Sequence, residues 1–117
     1  MERAFTYSKE FDKKWFKDLE LTDDILSVLE QYLLKNPDAG KIIKGTGGLR
    51  KLRWALPDND KGKSGGVRVL YVDFVSYERI FMIDVYGKNA KENITDAEKE
   101  AFKKLIKTIT ENLRKGL

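Results

Sequence analysis

The feature that most constrains this chain is a pair of runs, Val67 to Val75 and Arg79 to Tyr86, dense in Val, Ile, Tyr and Phe. β-Branched and aromatic side chains suit a pleated surface, so both runs read as strands. Only Ser76, Tyr77 and Glu78 separate them. Parallel neighbours need a crossover of a dozen or more residues, which leaves an antiparallel hairpin. The rest of the chain must then supply more strands beside this hairpin and helices to cover it.

Upstream, Phe5-Thr6-Tyr7 reads as a short opening strand. Ser8 is placed to cap a helix carrying Phe11, Trp15 and Leu19 at helical spacing, with Phe16 beside them. Thr22 followed by Asp23 and Asp24 is a stronger start signal, because acids favour the first turn of a helix. The helix that follows carries Ile25, Leu26, Leu29, Tyr32 and Leu33 and ends before Asn36-Pro37, with the two helices expected to form a hairpin. Aromatic stripes at this spacing are core, and no chemistry is assigned to them. Glycines at 40, 45, 47 and 48 then punctuate a loop, Leu49 to Leu56 reads as a strand, and a polar break follows. After the hairpin, Thr95-Asp96-Ala97-Glu98 has capping-box form. It opens a last helix with a stripe of Phe102, Leu105, Ile106, Ile109 and Leu113. The expected architecture is α+β, in the order β-α-α-β-β-β-α, an antiparallel-rich curved sheet packed by helices. At 117 residues, one domain over 1–117 is expected.

Cysteine and histidine are both absent. Disulfides, the usual zinc and iron–sulfur ligands, and nucleophile–histidine pairs are therefore excluded. Any catalysis must run on Lys, Arg, Tyr, Asp or Glu, and neither a metal nor another cofactor is expected. The opening Met1-Glu2-Arg3-Ala4-Phe5 lacks the apolar stretch of a signal peptide. No run approaches the roughly 20 apolar residues of a membrane span. A cytoplasmic location without membrane contact is the expectation.

Charge is unevenly distributed. Residues 41–68 hold eight basic side chains and two acids, a net +6, whereas the whole chain carries +4. Such a segment is either a footprint for a polyanion or a solvated basic loop. Within it, side chains alternate along the middle strand, so Arg50, Leu52 and Trp54 share one face, and Leu49, Lys51 and Arg53 the other. Leu52 and Trp54 mark the core side. Lys51 and Arg53 then project together from the opposite face, about 7 Å apart. Phosphates along a nucleic-acid strand would relieve their repulsion; an edge strand guarded against aggregation is the structural alternative. Arg68 sits near the start of a central strand, where it needs either an acid such as Asp73 or Asp84 or an anionic ligand. Tyr86-Gly87-Lys88-Asn89 leaves the last strand through a glycine, which brings Lys88 and Asn89 to a strand end or is ordinary turn chemistry.

Two glycine patterns fail as nucleotide sites. Gly62-Lys63-Ser64 has Pro57 where a P-loop needs its leading glycine, and it feeds a strand. Gly45-Thr46-Gly47 has Arg50 where the third glycine of a dinucleotide fingerprint would stand. Both read better as flexible hinges beside a basic surface.

Three segments together, 45–53 (Gly45-Thr46-Gly47-Gly48-Leu49-Arg50-Lys51-Leu52-Arg53), 61–71 (from Lys61-Gly62-Lys63-Ser64 to Val69-Leu70-Tyr71) and 85–89 (Val85-Tyr86-Gly87-Lys88-Asn89), resemble the HigB branch of the RelE toxin superfamily. The resemblance is detailed from Gly45 to Asn89, and the order of elements extends it over nearly the whole chain. It implies a type II toxin–antitoxin mRNA interferase that enters the ribosomal A site, cuts mRNA and is neutralised by a cognate helix-turn-helix antitoxin. The family's catalytic positions fall on Lys51, Arg53, Arg68 and Lys88. Lys44, Arg50, Lys61, Lys63, Tyr86 and Asn89 are the expected RNA and ribosome contacts. RelE has a functional tyrosine near the start of its last helix, and residues 91–102 contain none; Tyr71 and Tyr86 are the candidates to stand in for it. The implied reaction is metal-independent attack of an RNA 2′-hydroxyl on the adjacent phosphate. Arg53 and Arg68 suit the phosphate, and Lys51 or Lys88 the proton transfers. The competing reading is a catalytically silent RNA- or ribosome-binding module, or a protein-docking module, with the same surface.

Overall fold

A computed structural model of the chain describes residues 2–56, 66–90 and 93–116. Five strands form one mixed sheet in the order β1-β5-β4-β3-β2. They are β1 (Ala4–Tyr7), β2 (Lys41–Ile42), β3 (Arg50–Trp54), β4 (Val67–Phe74) and β5 (Arg79–Gly87). The helices are α1 (Lys9–Lys13), α2 (Asp23–Lys35) and α3 (Asp96–Arg114). β4 and β5 form the expected antiparallel hairpin, joined through a 3-10 turn at Val75–Tyr77. β1 runs parallel to β5, so the chain crosses one face through α1 and α2 before β2 forms the opposite edge.

The caps act as the sequence suggested. Ser8, Thr22 and Thr95 accept from the amides of Phe11, Ile25 and Glu98, and Glu98 completes the capping box by accepting from Thr95 N at 3.0 Å. The first helix differs from expectation. It is α-helical only to Lys13 and then widens into a π-helical turn, Lys14–Asp18, closed by Leu19 N donating to Lys14 O at 2.8 Å. Phe16 is turned outward there, while Phe11 and Trp15 are wholly buried. Tyr32 and Leu105, read as members of apolar stripes, are largely exposed.

The sheet is covered on both faces. Phe11 and Trp15, with Leu26, Leu29 and Leu33 of α2, pack on Leu52, Val69, Tyr71, Ile80, Met82 and Val85. On the other face Ile106 of α3 and Ile94 before it pack with Leu49, Leu70, Val72, Ile83 and Tyr86. β5 changes face partway. Leu70 pairs with Asp84 but Tyr71 with Met82, so Ile83 is an extra residue in a β-bulge. Met82 and Val85 thus reach the same core although three positions separate them, and Tyr86 joins the α3 face.

Two connections differ from expectation. β2 lies within the stretch read as loop; two exposed residues carry no alternation to detect. The 45–48 turn is also pinned rather than loose. Thr46 is fully buried, its hydroxyl donating to Ile43 O at 2.6 Å and accepting from Leu49 N at 3.0 Å. Gly45 and Gly47 supply the positive φ values, 86° and 80°, that this turn requires. The 62–64 segment lies outside the described residues.

Candidate functional site

β3 presents Leu52 to the α1/α2 core, so alternation turns Lys51 and Arg53 toward the α3 face. Register then chooses their neighbours. Arg53 lies opposite Arg68, and Arg68 lies opposite Tyr86. Lys51 lies opposite Lys41 of the edge strand. Opposed residues have Cα atoms about 4.5–5.5 Å apart, so Arg53 with Arg68, and Lys41 with Lys51, are two like-charge cross-strand pairs on one face. Such pairs destabilise a sheet. An anion lying across them would offset that cost.

The two acids named as partners for Arg68 each hold another cation. Arg3 donates from Nε and Nη2 to Asp73 at 2.7 and 3.3 Å. Asp84 accepts from Lys14 Nζ at 2.8 Å and from Val85 N at 2.9 Å.

The cations border two hollows. One, of about 290 Å³, is lined by Lys41, Ile42, Ile43, Lys51 and Arg53. The other, of about 180 Å³, is lined by Ile43, Lys51, Asn93, Ile94 and Lys99. Lys51 borders both and is half-buried, whereas Arg53 is exposed. Apolar walls beside cations lower the local dielectric and strengthen their pull on a phosphate.

The tyrosines separate cleanly. Tyr71 is wholly buried on the other face, where its hydroxyl accepts from Gly40 N at 2.8 Å and donates to Pro37 O at 2.9 Å. It holds the chain between α2 and β2. Tyr86 stands in the cation row, 5% exposed. Burial raises its hydroxyl pKa above the ordinary value, Asp84 and Glu98 act in the same direction, and Arg68 opposes them. At neutral pH this hydroxyl is a proton donor and not a base.

The remaining candidates divide by position. Arg50 shares the face of Leu52, and its Nη1 donates to Gly40 O at 2.7 Å and Asp38 O at 3.3 Å. It is a clasp for the α2–β2 connection, apart from the cation row. Lys88 and Asn89 are exposed in the turn after β5, which Ala90 N closes on Gly87 O at 3.0 Å. Gly87 pairs with Val67, so both residues leave the sheet one step beyond the Arg68–Tyr86 pair. Lys44 is exposed in the turn before β3. Lys61 and Lys63 lie outside the described residues.

Lys41, Asn93 and Lys99 join the site only through the fold. Lys41 counted toward the basic segment, but only pairing shows that it faces Lys51. Lys99 and Asn93 belong to a part of the chain whose charges sum close to neutral, and only folding brings them to Lys51.

Among the described residues, no helix is long and apolar enough to cross a membrane. A family model described as "RelE toxin of RelE / RelB toxin-antitoxin system" matches residues 3–117. The fold is similar to that of a mutant E. coli toxin RelE solved in the free state, with a TM-score of 0.54 and 20% sequence identity. That match covers 79% of this chain and 90% of the RelE chain. With the family model spanning all but the first two residues and the same fold beneath it, the chain belongs to the RelE toxin family of toxin–antitoxin systems.

Proposed function

We propose that this protein is a type II toxin of the HigB branch, one unit over 1–117, that cleaves mRNA on the ribosome without a catalytic metal. Toxins of the RelE family are mRNA-cleaving endoribonucleases associated with the ribosome, and they pair with antitoxins. A helix-turn-helix antitoxin is the proposed partner here. The observation that carries the reading is the row Arg53–Arg68–Tyr86 with Lys51 one step away, on a face that α3 covers only in part.

The reaction needs a phosphate held, a 2′-hydroxyl deprotonated and a leaving oxygen protonated. The 2′-oxygen attacks phosphorus, the bond from phosphorus to the 5′-oxygen breaks, and a 2′,3′-cyclic phosphate and a free 5′-hydroxyl result. Arg53 and Arg68 hold the non-bridging oxygens, since guanidinium forks match them and stabilise the charge that builds in the transition state. Lys51 or Lys88 takes the proton from the 2′-hydroxyl, and the other supplies one to the leaving oxygen. Tyr86, protonated and beside Arg68, donates a hydrogen bond toward the phosphate. Lys44, Lys61, Lys63 and Asn89 bind flanking RNA or the ribosome. The ribosome supplies the remaining orientation by holding the message in place.

Induced expression followed by primer extension on cellular mRNA tests the enzyme against a silent binder. Discrete cuts within coding regions are expected, and they should disappear in Arg53→Ala. Growth arrest over intact message would mean that the surface only binds.

Metal independence is part of the same proposal. The chain has no His or Cys, and a divalent cation would be repelled from a site built of Lys and Arg. A phosphorothioate at the scissile phosphate is expected to slow cleavage, with no recovery when a thiophilic metal is added. Recovery would point to direct metal coordination and sink the Lys/Arg mechanism. Ribosomes themselves need Mg²⁺, so the comparison is made at constant Mg²⁺.

A further inference from the structure

Four cations of α3 gather along one flank. Lys99, Lys103, Lys107 and Arg114 fall within about 80° of the helix circumference at roughly 3.6 residues per turn. Asp96 is the one acid of α3 in this arc, and it sits at the N-terminal end, 3.9 Å from Lys99. Glu100 and Glu111 lie beyond it, on the side of Lys104, whereas Glu98 is turned back toward the N-cap. Lysines four apart on a helix repel one another and weaken it by a few tenths of a kcal/mol per pair, about 0.2–0.5. Asp96, Glu100 and Glu111 stand three or four positions from Lys99, Lys103 and Lys107 and temper this repulsion from the edge of the arc.

Tertiary packing makes this arc and the paired cations of β2–β4 one surface. Lys99 and Lys51 line the same hollow. The next turn of α3 lies against the 45–48 turn, where a Cβ at Gly47 would come within 4.0 Å of both Ile106 and Lys103. The cationic arc is therefore the flank of α3 that faces β3 and the exposed Lys44. From Lys99 to Lys107 it extends about 12 Å at 1.5 Å per residue, which is three to four phosphate spacings at about 3.4 Å of axis per strand.

We propose that this flank of α3 is a docking track for the phosphate backbone of structured ribosomal RNA, continuous with the cleavage site but separate from its chemistry. The inference rests on the reading of the protein as a ribosome-dependent toxin. Spaced point charges on a rigid helix suit a backbone of regular phosphates, and long Lys side chains recognise it without reading bases.

The test uses the full-length double variant Lys103→Glu/Lys107→Glu, both positions being exposed. Binding to purified small ribosomal subunits is measured against salt, and single-turnover cleavage against ribosome concentration. The expected result is at least a tenfold loss of affinity at low salt and a slope of log K against log[salt] shallower by about 1.4–1.8, two phosphate contacts' worth. The half-saturating ribosome concentration rises while the maximal cleavage rate stays. Parental affinity and slope would overturn the track, as would a lower maximal rate at unchanged affinity, which would move these lysines into the chemistry. Loss of affinity for the antitoxin alone would assign the flank to an acidic protein instead and also overturn it. Binding is read without cleavage, so the track and the enzyme reading can fail separately: a parental protein that binds subunits but never cuts would sink only the latter.

Discussion

Arg68→Ala is expected to slow single-turnover mRNA cleavage on programmed ribosomes by about 10²–10³-fold, the usual cost of removing one preorganised donor from a developing anion. Arg68 is the middle member of the Arg53–Arg68–Tyr86 row, flanked by a guanidinium on one side and a phenol on the other. Its loss removes a fork from the phosphate and leaves Arg53 to act alone. Arg53→Ala is expected to cost a similar factor. The double variant should lose less than the product of the two, because residues that act on one group as a unit are not additive. The measurement is the cleavage rate at saturating toxin, with circular dichroism to show that the variants fold. Arg53 is exposed and faces a like charge, so its removal should hold stability or raise it by up to about 1 kcal/mol. Parental rates in both single variants would remove the arginines from the site.

Trp15→Ala is expected to cost about 3–5 kcal/mol of stability, a large part of the 5–15 kcal/mol typical of a small protein. Trp15 is fully buried and lies in the π-helical turn after α1. Its indole stacks on Phe11 at 5.5 Å and tilts against Trp54 at 6.3 Å, and Nε1 donates to Thr22 O at 3.0 Å. Truncation leaves a cavity, takes one of two donors from the Thr22 carbonyl, which keeps the Leu26 amide at 3.1 Å, and leaves β3 without its support next to Arg53. Urea unfolding gives the number: a lower midpoint at unchanged slope. A loss below about 1 kcal/mol would mean that the first core repacks freely around this site.

Much of this protein was legible in its residues. The β4–β5 hairpin follows from two β-rich runs and a link too short for any other connection. The helix starts follow from Ser8, Thr22 and Thr95, whose oxygens satisfy amides only three residues away. Alternation along β3 was enough to set Leu52 inward and Lys51 and Arg53 outward. These are local rules: each depends on atoms within one turn or one strand, and the order of residues states them directly.

Partners across the sheet were decided by the tertiary structure. Simple alternation would turn Tyr86 to the face of Met82, away from Arg68; the extra residue at Ile83 rotates it into the cation row. Arg50, counted among the basic residues by composition, spends its charge on the carbonyls of Asp38 and Gly40. Lys41 faces Lys51 because a two-residue strand pairs there, and Lys99 reaches the same hollow from 48 positions further along the chain than Lys51. Composition determined that this protein would carry a cationic face. Which cations share it depends on register and helix docking, and these minimise the free energy of whole cores, a quantity that no short stretch of sequence contains.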